Sequence, residues 1–400
     1  MPPFFNSRMF HFLLKVHLLL LCTAVSTAIA TPVGMTYNPS TSKLLLPDHV
    51  SSSIQSLHFP VVRLLDPTPL SIRAFAYTNI TLLLSISNHL IPSFAANRSA
   101  ASIWLYSHVL PYHPRTHFSL ISVGSDVISS ANNDITIDPY AVLPAMRNLY
   151  LSLHELGIRT ISVSTTFSFM NIMTSSFPPS SAEFQDPVNS MIIRPLLQFL
   201  DETNSSFLIN IYPYNVYRIK SEIPIGYALF QENPHNFRDD IITGVRYRNL
   251  FDMMVDAVIA AMAVTGHENI PLIVTETGWP STRNNEAQTE ANRNYAEMYL
   301  KGLMMHLRSG MGTPLRKEGV AEAYIYQLFD EDEKNIEYSS GSIDSRSMHG
   351  GQNWGIMYDN MSMKYKIDFS HSERFFGKDK ELVEMVLGLH LLVVAVLLLQ

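Results

Sequence analysis

Leu272-Ile273-Val274-Thr275-Glu276-Thr277-Gly278-Trp279-Pro280-Ser281 begins as a buried strand and ends in polar chemistry. Three aliphatic residues follow Asn269-Ile270-Pro271 without a polar break, the pattern of a strand covered on both faces. Gly278 and Pro280 then stop it. A carboxylate at Glu276, where such a strand ends, loses hydration, and the cost persists unless a partner or a reaction uses the charge. Barrels of parallel strands keep their reactive groups at this end. Trp279, just beyond the acid, offers a flat apolar face on which a sugar ring can stack. The plainer reading is a strand end whose Glu276 pairs with an Arg or Lys.

Working outward from this run, strand-like and helix-like segments alternate. Strands are predicted at 33–37, 60–65, 82–87, 118–124, 160–164, 207–212, in the run carrying Glu276 with its apolar part at 272–274, and at 321–329. Helices are predicted at 51–57, 70–77, 102–110, 141–156, 188–200, 250–264 and 287–307, with Gly266 as a stop and Asn79 as a left-handed C-cap. Eight strands joined by right-handed helical crossovers close most naturally into a single-domain α/β (β/α)8 TIM barrel. A doubly wound open sheet competes, but no Gly-rich turn follows the first strand to cradle a nucleotide. His113 and His117 show metal-like spacing, yet Pro114 between them opposes the helix that would aim both at one ion, so no metal and no cofactor is expected.

The chain has 28 basic and 35 acidic residues, a net charge of −7 and 46% hydrophobic residues, which excludes a disordered chain and a nucleic-acid binder. Residues 1–30 read as a signal peptide: Arg8 and Lys15, an apolar stretch, then Ala28-Ile29-Ala30 as the cleavage site. The single cysteine, Cys22, leaves with it. Residues 371–400 combine a polar spacer with an apolar run from 385 to 399, the pattern of a glycosylphosphatidylinositol attachment signal; a tail-anchoring helix is the alternative. Sequons at Asn79, Asn97, Asn204 and Asn360 suit a secreted glycoprotein. A monomer outside the cell, touching the plasma membrane only through the lipid anchor, is expected.

The run around Glu276 also resembles the signature of the plant endo-β-1,3-glucanases of glycoside hydrolase family 17. So do Val33-Gly34-Met35-Thr36-Tyr37, Val62-Arg63-Leu64-Leu65-Asp66, Phe177-Pro178-Pro179-Ser180, Asn210-Ile211-Tyr212-Pro213-Tyr214, the stretch Glu322 to Glu331, and Asn353-Trp354-Gly355-Ile356-Met357, all in the family's order across residues 32–370. The resemblance implies retaining hydrolysis of 1,3-β-glucan at the cell wall, with Glu276 as nucleophile. It assigns Trp279, Tyr212, Ser125 and Tyr37 to the substrate cleft, and surrounds the nucleophile with Glu322, Glu331 and Lys334.

Retaining glycosidases need two carboxyl groups about 5–5.5 Å apart. Where the family has Asn-Glu at the end of the fourth strand, this chain has Ser125-Asp126. Asp126 is shorter than Glu by one methylene, about 1.5 Å of reach, and a misplacement of about 1 Å can cost on the order of a hundredfold. Ser125 lacks an amide for the sugar's 2-hydroxyl. Leu65, Thr36 and Gly351 also depart from the family pattern. Two readings therefore stand: a slow glucanase with Asp126 as acid/base, or a glucan-binding wall protein whose acid has decayed. A third places proton transfer on Asp134 or Asp138.

Overall fold

The computed structural model describes residues 30–39, 45–128, 138–231, 233, 235–283, 286–330 and 353–369. Eight parallel strands close in the order β1-β10-β9-β6-β5-β4-β3-β2. They are β1 (Val33–Tyr37), β2 (Val61–Leu65), β3 (Thr81–Ile86), β4 (His117–Ser125), β5 (Ser162–Ser168), β6 (Phe207–Asn210), β9 (Leu272–Thr277) and β10 (Glu322–Ile325). β7 (Arg238–Asp239) and β8 (Arg246–Tyr247) form a small hairpin outside the barrel. The expected (β/α)8 barrel is what these strands build.

Helices α1 (Pro47–Ser56), α2 (Pro69–Arg73), α3 (Ile91–Ala96), α4 (Arg98–His108), α5 (Val142–Glu155), α6 (Phe169–Ile172), α7 (Arg194–Glu202), α8 (Pro213–Ile219), α9 (Ile225–Ala228), α10 (Leu250–Val264) and α11 (Arg293–Ser309) connect the strands. Their limits follow local chemistry. α10 starts where the Asn249 side chain accepts the Asp252 N–H, and α11 where Asn292 accepts from Tyr295. α11 ends on Gly310 in the left-handed conformation at φ 64°. In the turn before β3 the left-handed residue is Tyr77 (φ 60°), which corrects the expectation for Asn79.

The core has two parts. A small cluster of Val61, Leu83, Leu120, Leu208, Ile273 and Tyr324 fills the barrel bore below the site, and a larger one lies between strands and helices. β5 runs four residues beyond its expected end because its hydroxyls are satisfied within the sheet: Thr165 Oγ1 donates to the Val123 carbonyl, and Ser122 and Thr166 hydroxyls meet at 2.9 Å. β10 is shorter than expected because residues 327 and 328 pair with the C-terminal segment through Gln327 to Trp354 and Met357 to Leu328.

Candidate active site

At the C-terminal mouth of the barrel, Glu276 lies on β9, level with Asn210 of β6 across an irregularity in the ladder. It is 1% exposed. Arg63 Nη1 donates to Glu276 Oε1, and the Tyr212 hydroxyl donates to Oε2 at 2.6 Å. Both partners favour the charged carboxylate. Burial, then the charge of Glu276, pushes the Tyr212 phenol well above its ordinary value, so it stays a neutral donor.

Arg63 is fully buried and crosses the bore from β2. Its Nε donates to Ser85 Oγ at 3.0 Å, Nη1 also to the Thr275 carbonyl at 3.3 Å, and Nη2 to Ser125 Oγ at 3.4 Å. One guanidinium thus joins the strand of Glu276 to the residue beside Asp126. Asp126 itself is 3% exposed in a left-handed turn at φ 54°. Its N–H donates to the Thr166 carbonyl at 2.8 Å, and Asn171 Nδ2 donates to its Oδ1 at 3.1 Å. Asn88 brackets the preceding residue, accepting the Ser125 N–H and donating to its carbonyl.

Two carboxyl groups at the mouth of a parallel barrel, one of them gripped by an arginine and a phenol, suit glycoside chemistry. The sequence model of glycosyl hydrolases family 17 matches residues 33–369. The chain belongs to this family. It is 34% identical over 344 residues to glucan endo-1,3-beta-glucosidase 12 of Arabidopsis thaliana, covering 86% of this chain but 61% of that relative's length. It is 32% identical to the glucan endo-1,3-beta-glucosidase of Vitis vinifera, of which it covers 92%. Among solved structures it resembles CJP38, a beta-1,3-glucanase and allergen of Cryptomeria japonica pollen, at 30% identity and a TM-score of 0.75, covering 85% of this chain and 99% of that one.

Within this family 17 chain, several residues sit elsewhere than expected. Trp279 is 2% exposed: its Nε1 donates to the Glu290 carbonyl and its ring is enclosed by Tyr214, Tyr217 and Tyr299. It offers no open stacking face, because α8 and α11 cover it. Contrary to expectation, Glu322 does not stand around Glu276. It begins β10 level with Ile273, three residues before Glu276, and its carboxylate accepts the Tyr324 hydroxyl inside the bore. Burial holds its carboxyl above the usual range. Tyr37 ends β1, 2% exposed and edge-on to Phe329.

Asp138 is exposed and caps the turn before α5 by accepting the Tyr140 N–H, so its carboxylate is occupied outside the mouth. Asp134, Glu331, Lys334 and Gly351 lie outside the described residues. Sequence reasoning missed three members of the site: Arg63, Asn171 and Trp354. The Trp354 ring packs on Tyr212 at 5.1 Å and on Tyr326 at 6.3 Å, forming an apolar wall behind the Tyr212 phenol. Among the described residues no three His, Cys, Asp or Glu side chains gather as a metal site would require.

Proposed function

We propose that this chain is an endo-acting glucosidase of 1,3-β-glucan that works with retention and turns over slowly. The observation that carries the reading is the buried Glu276 carboxylate, held by Arg63 and Tyr212 at the barrel mouth. In the first step a Glu276 oxygen attacks the anomeric carbon, the glycosidic C–O bond breaks, and Asp126 protonates the departing oxygen. In the second, Asp126 takes a proton from water, whose oxygen displaces Glu276. The relatives' names support 1,3-β-glucan as substrate. No cofactor enters this chemistry.

A glucan-binding reading is favoured by one observation, the shortened acid at Asp126. The deciding experiment is hydrolysis of laminarin by the full chain from a secreting host, beside Glu276→Ala and the pair Ser125→Asn with Asp126→Glu. The expected result is slow release of reducing ends with β-anomeric product, none from Glu276→Ala, and a gain on the order of tenfold to a hundredfold in the pair. A silent parent that binds laminarin and is woken only by the pair establishes the binder.

The signal peptide and the four sequons support secretion. Asn79, Asn97, Asn204 and Asn360 are all exposed, as glycan acceptors must be. Anchoring through the residues beyond 370 is tested by release from membranes with a phosphatidylinositol-specific phospholipase. No helix of the described residues is long and apolar enough to cross a membrane.

A further inference from the structure

We propose that Asn171 is a positioning residue whose amide biases Asp126 toward its ionised, base-competent form, so that it slows cleavage of glucan more than cleavage of donors with self-departing leaving groups. This deepens the glucanase reading and rests on it.

The turn carrying Asp126 is fixed from two sides. Toward β3, Asn88 grips Ser125 by both its N–H (2.8 Å) and its carbonyl (2.9 Å). Toward β5, the Asp126 N–H is tied to the Thr166 carbonyl (2.8 Å) and its carboxyl to the Asn171 amide (3.1 Å). Gly124, at φ 76°, sits so close to Asn88 and Ile91 that a Cβ there would lie 2.8 Å from Asn88 Oδ1 and 2.6 Å from Ile91 Cδ1. A turn this enclosed does not swing to recover the methylene that Asp lacks relative to Glu.

Burial of Asp126 opposes its ionised form, and the Asn171 N–H donated to its Oδ1 favours it, so the amide sets how far the balance tilts. The two catalytic steps use Asp126 oppositely. When Glu276 attacks the anomeric carbon and the C–O bond breaks, a sugar hydroxylate leaves well only if Asp126 has a proton to give. When water attacks the glycosyl–Glu276 ester, Asp126 must already be ionised to receive water's proton. Ionised Asp126 therefore impedes the first step and serves the second. Fluoride or dinitrophenolate leaves as the anion with the bonding pair and needs no proton. Among the described residues the ionisable groups on the surrounding elements include Arg63 and Asp66 at β2, His89 beside Asn88, Tyr212 after β6 and Glu276 on β9. All are common to parent and Asn171 variants, so a difference between them reports the amide.

The test compares the full chain with Asn171→Ala and Asn171→Asp, using laminari-oligosaccharides and laminaribiosyl fluoride. Asn171 is only half-buried, so alanine seals no cavity. In Asn171→Ala the alkaline limb of kcat/KM on oligosaccharide should rise by about one pH unit, with up to about tenfold faster turnover at pH 7. The gain belongs in kcat rather than KM, and the fluoride rate should stay within about twofold. Asn171→Asp, which sets a second carboxylate beside Asp126, should move the limb the same way. Equal losses on both substrates, or no shift in either folded variant, overturn the proposal. Labelling of Glu276 by 2-deoxy-2-fluoro-laminaribiosyl fluoride separates the two readings. A labelled parent with unshifted variants removes only the role of Asn171, whereas an unlabelled parent removes the glucanase reading as well.

Discussion

Arg63 is a full positive charge with no exposed surface, and its energetics are those of the pair it forms with Glu276. Removing one member strands the other in a dry bore, a loss of about 3–5 kcal/mol. Arg63→Met should therefore lower the urea midpoint sharply, while Arg63→Met with Glu276→Leu should recover most of the stability and none of the activity. Equal urea midpoints for the single and the double variant would show that the ion pair is energetically idle. The signal for this role stood in Val61-Val62-Arg63-Leu64-Leu65, where a charge interrupts a run that otherwise buries on both faces. Such a charge demands a partner, but a strand pattern alone does not say which carboxylate across the barrel provides it. Trp279 was misread for a related reason. An aromatic beyond an acid looks the same whether it faces a cleft or a helix, and Tyr299 of α11, twenty residues on, decides between them.

At the level of elements, α10 and α11 are joined by a buried pair, His306 Nε2 to Asp252 Oδ1 at 2.7 Å. Burial opposes the imidazolium, but the hydrogen bond and charge of Asp252 outweigh it and hold His306 above its ordinary value of 6.5. A folded value above the unfolded one means the stabilisation is complete below about pH 6.5 and is lost as pH rises through the raised value. The melting-temperature gap between the parent and His306→Leu should accordingly be widest near pH 6 and shrink at higher pH; a gap independent of pH would leave His306 with packing alone. Asp256 on the same helix, pushed up to about 6 by burial, titrates in a lower window and is common to both chains. Elements were legible where a cap, a stop and a long apolar face coincide, as in α10. They were illegible where no period exists: α6, α8, α9 and the hairpin of β7 and β8 are short pieces placed by tertiary contacts. The limits of β5 and β10 depend on hydroxyl pairing and on a distant segment, neither of which a local pattern contains.

For the whole molecule, residues 353–369 act as a strap across the barrel. Asn353 accepts the Ser281 N–H, the Trp354 carbonyl the Gln327 N–H, Lys364 pairs with Asp330, and the Phe369 ring rests on Phe59 at 5.1 Å. A chain ending at residue 369 should fold and melt cooperatively, whereas one ending at 352 should lose the cooperative transition, as followed by circular dichroism. Arg308, at the end of α11, donates to the carbonyls of Asp368 and Phe369, and Phe59 stands two residues before the start of β2. The strap therefore finishes at the floor of the barrel, on the side where strands begin. Thr31, whose N–H donates to the Leu307 carbonyl, enters on that same floor. Were the chain tethered beyond residue 369, as proposed above, it would stand like a cup on its base, with the rim carrying Glu276 turned away from the point of attachment.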